Sequence, residues 1–128
     1  MINQKKEMND LAKRLEVQDI DDALYFPKYI IIETTRLCNS RCPFCTNAEA
    51  DKSVPMMSDK LFDKIAEEIG RYSRWIKFIC VQRLGEPLID KKIGERIRCL
   101  KSLGVRTVSM STNAALLSAD RAQEILEA

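Results

Sequence analysis

Apolar residues return along this chain in two alternating rhythms. Short continuous runs rich in β-branched residues alternate with longer stretches in which apolar residues recur every three or four positions. The first rhythm predicts strands, the second helices with one buried face. Tyr29-Ile30-Ile31-Ile32 is the first run. It reads as a strand over Lys28 to Thr35, buried on both faces. Trp75 to Val81 and Val105 to Met110 are the second and third strands. Between the first two lies a helix over Met56 to Gly70. Ser58 is its N-cap, Leu61, Phe62, Ile65, Ala66 and Ile69 form its apolar face, and Gly70 is its stop signal. After the second strand, Asp90 caps a helix that buries Ile93, Ile97, Leu100 and Leu103 and ends at Gly104. Ser118 caps a last helix with Ala122, Ile125 and Leu126 inward, and the chain stops inside it.

Residues 1–28 are a charged lead-in. A helix is expected over Asn3 to Leu15, with Met8, Leu11, Ala12 and Leu15 on a narrow apolar stripe, and no function attaches to it. Residues 29–128 then read strand, helix, strand, helix, strand, helix. That order predicts an α/β fold of parallel βα repeats with right-handed crossovers. Three such units do not close a barrel. An open three-stranded parallel sheet leaves unpaired edges, so a longer natural protein is expected.

Composition narrows the class. The 128 residues are 45% hydrophobic and 31% charged, which suits a globular domain. Lys and Arg number 21 against 19 Asp and Glu, a net charge of +2 that points to no nucleic-acid partner. No apolar run approaches the roughly 18 residues of a membrane span. The first residues lack the apolar stretch of a signal peptide, so cytoplasm is the expected compartment. There is no histidine. That excludes Ser/His and Cys/His nucleophile pairs and Cys/His zinc fingers.

Cysteine is the informative residue. Three of the five crowd into eight positions, Cys38-Asn39-Ser40-Arg41-Cys42-Pro43-Phe44-Cys45. In a reducing compartment such a cluster binds metal more often than it forms disulfides. The spacing C-x3-C-x2-C lets three thiolates converge on one centre. Iron–sulfur clusters usually take four protein cysteines, so three on a four-iron cube leave one iron open. A zinc site closes with four ligands, and Cys80 or Cys99 is the available fourth thiolate. Cys80 lies in an apolar strand and Cys99 in a helix, where buried free cysteine is common. A zinc-stabilised domain or an iron–sulfur electron carrier therefore stands beside an enzyme.

Position adds to chemistry. In parallel α/β folds ligands bind at the carboxyl ends of the strands. The cysteine segment follows the first strand, Gly85-Glu86-Pro87-Leu88 the second, and Ser111-Thr112-Asn113-Ala114 the third. Either turn alone is ordinary punctuation. All three fall on one rim.

These residues together resemble the radical S-adenosylmethionine (SAM) enzymes. That family carries C-x3-C-x2-C after its first strand, with an aromatic before the last cysteine, here Phe44. It carries a Gly-Gly-Glu-Pro-type turn after the second strand and often a Ser/Thr-Asn-Gly turn after the third. Leu84 stands where a further Gly is frequent, and Ala114 where Gly is usual. The resemblance covers residues 29 to 128 and implies the first half of a partial (β/α)6 TIM-like barrel. It implies a 4Fe–4S cluster on Cys38, Cys42 and Cys45, with SAM on the open iron. Glu86 and the backbone at Gly85 would meet the SAM ammonium, Phe44 the adenine, and Ser111 and Asn113 the ribose or methionine end. The implied reaction is reductive cleavage of SAM to methionine and a 5′-deoxyadenosyl radical, which abstracts hydrogen from a substrate. The electron would come from a low-potential donor of flavodoxin or ferredoxin type. Arg36 and Arg41 flank the loop, either offsetting cluster charge or simply solvated. Glu33 sits in the first strand as an inward polar contact or ion-pair partner.

Overall fold

The computed structural model describes residues 4–18, 20–21, 25–49, 51–53 and 55–128. Three short strands, β1 (Tyr29–Ile31), β2 (Phe78–Cys80) and β3 (Thr107–Ser109), form one sheet in the order β1-β2-β3. Both pairings are parallel and in step, Tyr29 beside Phe78 beside Thr107. Among the described residues, the sheet is accompanied by the α-helices α1 (Gln4–Leu15), α2 (Asp59–Tyr72), α3 (Ile93–Ser102) and α4 (Ala119–Leu126). The expected start of α1 at Asn3 lies outside the described residues. No helix among the described residues is long and apolar enough to cross a membrane.

The helices form for the reasons the pattern gives. Ser58 Oγ accepts from Leu61 N and Ser118 Oγ from Arg121 N, each satisfying a first-turn amide. Gly104, at φ +91°, closes α3 in a conformation that favours glycine. Four expectations need correction. First, α2 runs through Gly70 to Tyr72, because Gly70 has Leu103 against it and keeps helical geometry. Second, α3 starts at Ile93. Asp90 ends a 3-10 turn over Pro87–Ile89 instead, and its Oδ1 accepts from Lys92 N. Third, Leu126 is 87% exposed, while Ala122 and Ile125 are half-buried.

The fourth correction concerns the sheet. One face, with Ile30, Ile79 and Val108, packs on the core, where Phe62, Ala66 and Ile69 of α2 meet Ile93, Ile97 and Leu100 of α3. Each fully buried Ile or Phe contributes about 1.5–3 kcal/mol. The other face is open: Tyr29 is 49% and Ile31 61% exposed, and the Tyr29 and Phe78 rings meet across it. β1 is therefore covered on one face, not two, because α2 and α3 both lie on the same side. Arg96 links these helices. Its guanidinium lies over the Phe62 ring, donates to Met57 O, and faces the buried Asp90 carboxylate at 3.2 Å.

At the amino end of the strands, α1 is tied down by charge. Lys28 Nζ donates to Glu16 O and lies 4.3 Å from the centre of the Trp75 ring, while Lys77 pairs with the Glu16 carboxylate. The hydrogen bond and charge of Lys77 hold the Glu16 carboxyl below its ordinary 4.5. A lowered folded-state value stabilises the fold above about 4.5, and this contribution is lost as pH falls through the lower, folded-state value. Acid titration of Trp75 fluorescence is therefore expected to show a step below pH 4.5. Glu16→Gln should remove that step; its persistence would detach Glu16 from the docking of α1.

Candidate functional site

The parallel sheet delivers three loops to its carboxyl rim, and hydrogen bonds between loops fix how they meet. The first loop leaves β1 through Glu33, Thr34 and Thr35. Segment 55–57 runs back beside it: Thr35 bridges Met56 in antiparallel fashion, Arg36 N donates to Pro55 O, and Met57 N donates to Thr34 O. The cysteine loop is thus an excursion closed at its neck. Inside it, Cys45 N donates to Cys42 O, a 3-10 turn spans Thr46–Ala48, and Ser40 N donates to Cys38 Sγ at 3.5 Å. Asn47 Nδ2 donates to Arg36 O, and Arg36 Nη1 to Asp51 O.

The second loop is pressed against the first. A Cβ on Gly85 would stand 2.0 Å from Thr35 O, so only glycine fits there. Glu86 N donates to Leu37 O at 2.8 Å. Glu33, placed two residues beyond β1 rather than within it, accepts from Leu84 N and Gly85 N through Oε1 and faces Arg36 Nε at 3.6 Å. Both roles considered for Glu33, polar contact and ion pair, are present. Leu84, in a glycine position of the related pattern, keeps negative φ and donates its amide to Glu33.

The third loop hangs on Glu86. Its carboxylate is 3% exposed. Oε1 accepts from Leu88 N at 3.0 Å and from Thr112 Oγ1 at 2.5 Å, and Oε2 accepts from Asn113 N at 2.8 Å. Three donors fill three of the roughly four acceptor positions of a carboxylate. Asn113 Nδ2 then donates to Asn39 Oδ1 and Ser40 Oγ, returning to the cysteine loop. Ala114 adopts φ +59°, the left-handed conformation that the usual glycine would take without strain.

Cys38, Cys42 and Cys45 are free thiols that line one cavity of about 700 Å³ together with Ser40, Arg41, Pro43, Asn47, Glu49 and Lys52. Cys80 and Cys99 do not line it. Cys80 lies in β2 with its thiol on Gln82 O, and Cys99 lies in α3 beside Phe62 and Arg96. Among the described residues no three cysteine or acidic groups close around a point where a single metal ion would sit. The donor set is three thiols without a fourth, in a bowl wider than one ion, and an N–H already points at one sulfur. It fits a polynuclear thiolate-bound centre with one open position. Asn47 Oδ1 is buried in this wall without a hydrogen-bond partner among the described residues, an acceptor suited to a ligand that brings donors.

Other expected residues distribute unevenly. Phe44 is 87% exposed at the loop tip, and Ser111 is exposed on the rim. Arg41 lines the cavity, whereas Arg36 is drawn away toward Glu33 and Asp51. Thr112, Asn39 and Asn47 were not expected to matter. Thr112 and Asn39 lie inside the quoted motifs, and Asn47 lies two residues past the last cysteine.

Two substitutions check this geometry. Gly85→Ala should lower unfolding stability by about 3 kcal/mol in urea titration, since the obstacle is a backbone oxygen. Ala114→Gly should raise it by about 0.5–1 kcal/mol, the strain relieved less the added chain entropy. No gain at Ala114 would mean that the third loop is built without backbone strain.

Comparison with known proteins agrees with this arrangement. The family model of the Radical SAM superfamily matches residues 32–128. A probable GTP 3′,8-cyclase of Sulfurisphaera tokodaii is 33% identical over 88 residues, covering 68% of this chain and 27% of the relative. The PqqA peptide cyclase of Bradyrhizobium diazoefficiens is 28% identical over 104 residues, covering 80% and 26%. The chain thus spans about a quarter of the length of these curated relatives. The crystal structure of BtrN in complex with AdoMet and 2-DOIA shares the fold with a TM-score of 0.69 at 22% identity, over 78% of this chain and 41% of BtrN. The three βα units are accordingly the first half of a partial (β/α)6 TIM-like barrel. With its cysteine loop, its Gly-Glu-Pro turn and a family match over residues 32–128, the chain belongs to the radical SAM superfamily.

Proposed function

We propose that this chain holds the cluster and part of the SAM site of a radical SAM enzyme. The observation that carries the reading is the convergence of Cys38, Cys42 and Cys45 on one cavity, with the Gly85-Glu86 turn fastened to the same rim. When bound, a 4Fe–4S cluster and SAM would supply the one-electron chemistry, reductive cleavage of SAM to methionine and a 5′-deoxyadenosyl radical for hydrogen abstraction from a substrate, with the electron coming from an outside donor.

The chain's own residues bind, orient and shield. The three thiolates of Cys38, Cys42 and Cys45 would hold the cluster and leave it one open position for SAM. The backbone at Gly85 takes the SAM ammonium, and Glu86 contributes the negative field of a buried carboxylate and its one spare acceptor position. Asn47 Oδ1 accepts from a ligand donor on the cavity wall. Phe44 covers the adenine, and Ser111 lies at the ribose or methionine end. No step assigned to this chain needs an acid or base, in keeping with its lack of histidine. Arg41 and Lys52, exposed at the cavity, offset the charge of the thiolates and give a cationic edge to a low-potential flavodoxin or ferredoxin. Reduced cytoplasm would keep the five thiols free.

The test is anaerobic reconstitution with iron and sulfide, followed by electron paramagnetic resonance (EPR) of the reduced protein. A four-iron signal that changes when SAM is added is expected. It should vanish in Cys42→Ala and persist in Cys80→Ser and Cys99→Ser. Zinc uptake without an iron–sulfur signal, or loss of metal in either of the last two variants, would overturn the proposal in favour of a closed structural site.

A further inference from the structure

The backbone N–H and both side-chain polar atoms of Asn113 are bound within the protein. Its backbone N–H donates to Glu86 Oε2 at 2.8 Å, and its side-chain Oδ1 accepts from Ala115 N at 3.0 Å. The two hydrogens of Nδ2 go to Asn39 Oδ1 at 2.8 Å and Ser40 Oγ at 2.9 Å. This sets the orientation of the amide, since a flipped group would turn its NH2 toward the Ala115 N–H. The side chain therefore joins the third loop to the cysteine loop across 73 and 74 positions of sequence.

What it grips decides what it does. Ser40 is the residue whose backbone N–H donates to Cys38 Sγ. Hydrogen bonds to ligand sulfur are among the levers that set the potential of an iron–sulfur centre. A donor facing sulfur favours the state with more negative charge, which is the reduced one. Outer partners that orient ligands tune metal sites generally. The buried Glu86 carboxylate anchors Asn113, Asn113 holds Ser40, and Ser40 holds its N–H on Cys38.

We propose that Asn113 is a positioning residue that raises the reduction potential of a cluster bound at Cys38 by fixing the Ser40 N–H on its sulfur. This rests on the cluster reading above. It differs from the SAM contact that the family resemblance implies for Asn113, because the effect is present before SAM binds.

The test uses the 128-residue chain without SAM. In reconstituted protein, redox titration followed by EPR should give Asn113→Ala a more negative midpoint than the wild type. At a fixed potential the ratio of reduced to oxidised cluster should fall about two- to tenfold, the worth of one net hydrogen bond. Asn39→Ala, which removes an acceptor from the other side on an exposed residue, should shift the midpoint in the same direction. Asn39→Ala/Asn113→Ala should shift it no further than Asn113→Ala alone. In metal-free protein, hydrogen exchange in the 38–42 segment should be faster in Asn113→Ala, a readout that needs no cluster. Normal cluster assembly with an unchanged midpoint would overturn this inference alone. Absence of a four-iron cluster in the wild type would overturn both it and the function proposed above.

Discussion

In-step parallel pairing is the constraint on which the rest of this molecule depends. With Tyr29, Phe78 and Thr107 level, the three strands end together at Ile31, Cys80 and Ser109. Their loops have to emerge on one rim. Each strand is only three residues long, so the ladder contributes few hydrogen bonds. The rim is held as much by loop-to-loop bonds as by the sheet. The Gly85 approach to Thr35, the Glu86 N–H on Leu37 O and the Glu33 carboxylate on two amides weld the second loop to the first.

Glu86 completes the rim in an unusual way for an acid. A carboxylate this buried is costly unless its lone pairs are met. Here two backbone amides and a hydroxyl meet them, and no cation is paired with it among the described residues. The arrangement also caps the 3-10 turn at Pro87. One side chain thus ends the second loop and orders the third. An amide in its place would turn an NH2 toward the donors that a carboxylate accepts. Polar networks of this kind fix one arrangement because partial satisfaction is worse than none.

Local signals were legible in the sequence where their chemistry is local. Ser58, Ser118 and Gly104 act within one turn of chain, and each does what its residue type suggests. The grouping of Cys38, Cys42 and Cys45 was legible because eight consecutive positions keep three thiols on one loop and at one cavity. Signals that depend on neighbours misled. Gly70 is a possible stop only if nothing packs there, and Leu103 does. The Tyr29 to Ile32 run is apolar throughout, yet both helices lie on one side and leave Ile31 exposed. Glu33 and Asn113 show the same limit from the other direction. Their partners stand about 50 and 74 positions away, so their place in the site is a property of the fold.

The cysteine loop itself has little to hold it. Its residues are mostly exposed, and among the described residues its tip is held by little more than one turn at Cys42, one 3-10 turn and the Ser40 contact to sulfur, with the Asp51 carboxylate on Ser53 further along. Segments with few buried apolar contacts sit at the low end of local stability. Such a loop would sample many arrangements of its thiols and have to lose that freedom on binding a cluster. The structure removes part of the freedom beforehand, at the base of the loop and from the third loop. Thr35 and Pro55 close its neck, Arg36 carries Asn47 and Asp51, and Asn113 holds Asn39 and Ser40. These ties leave Cys42 exposed at the open end while they fix the approach of Cys38. The loop is thus ordered at its base and at its first cysteine, with fewer ties toward its tip. A loop built this way stays open to solvent at Cys42 and still presents one sulfur, that of Cys38, in a defined polar environment.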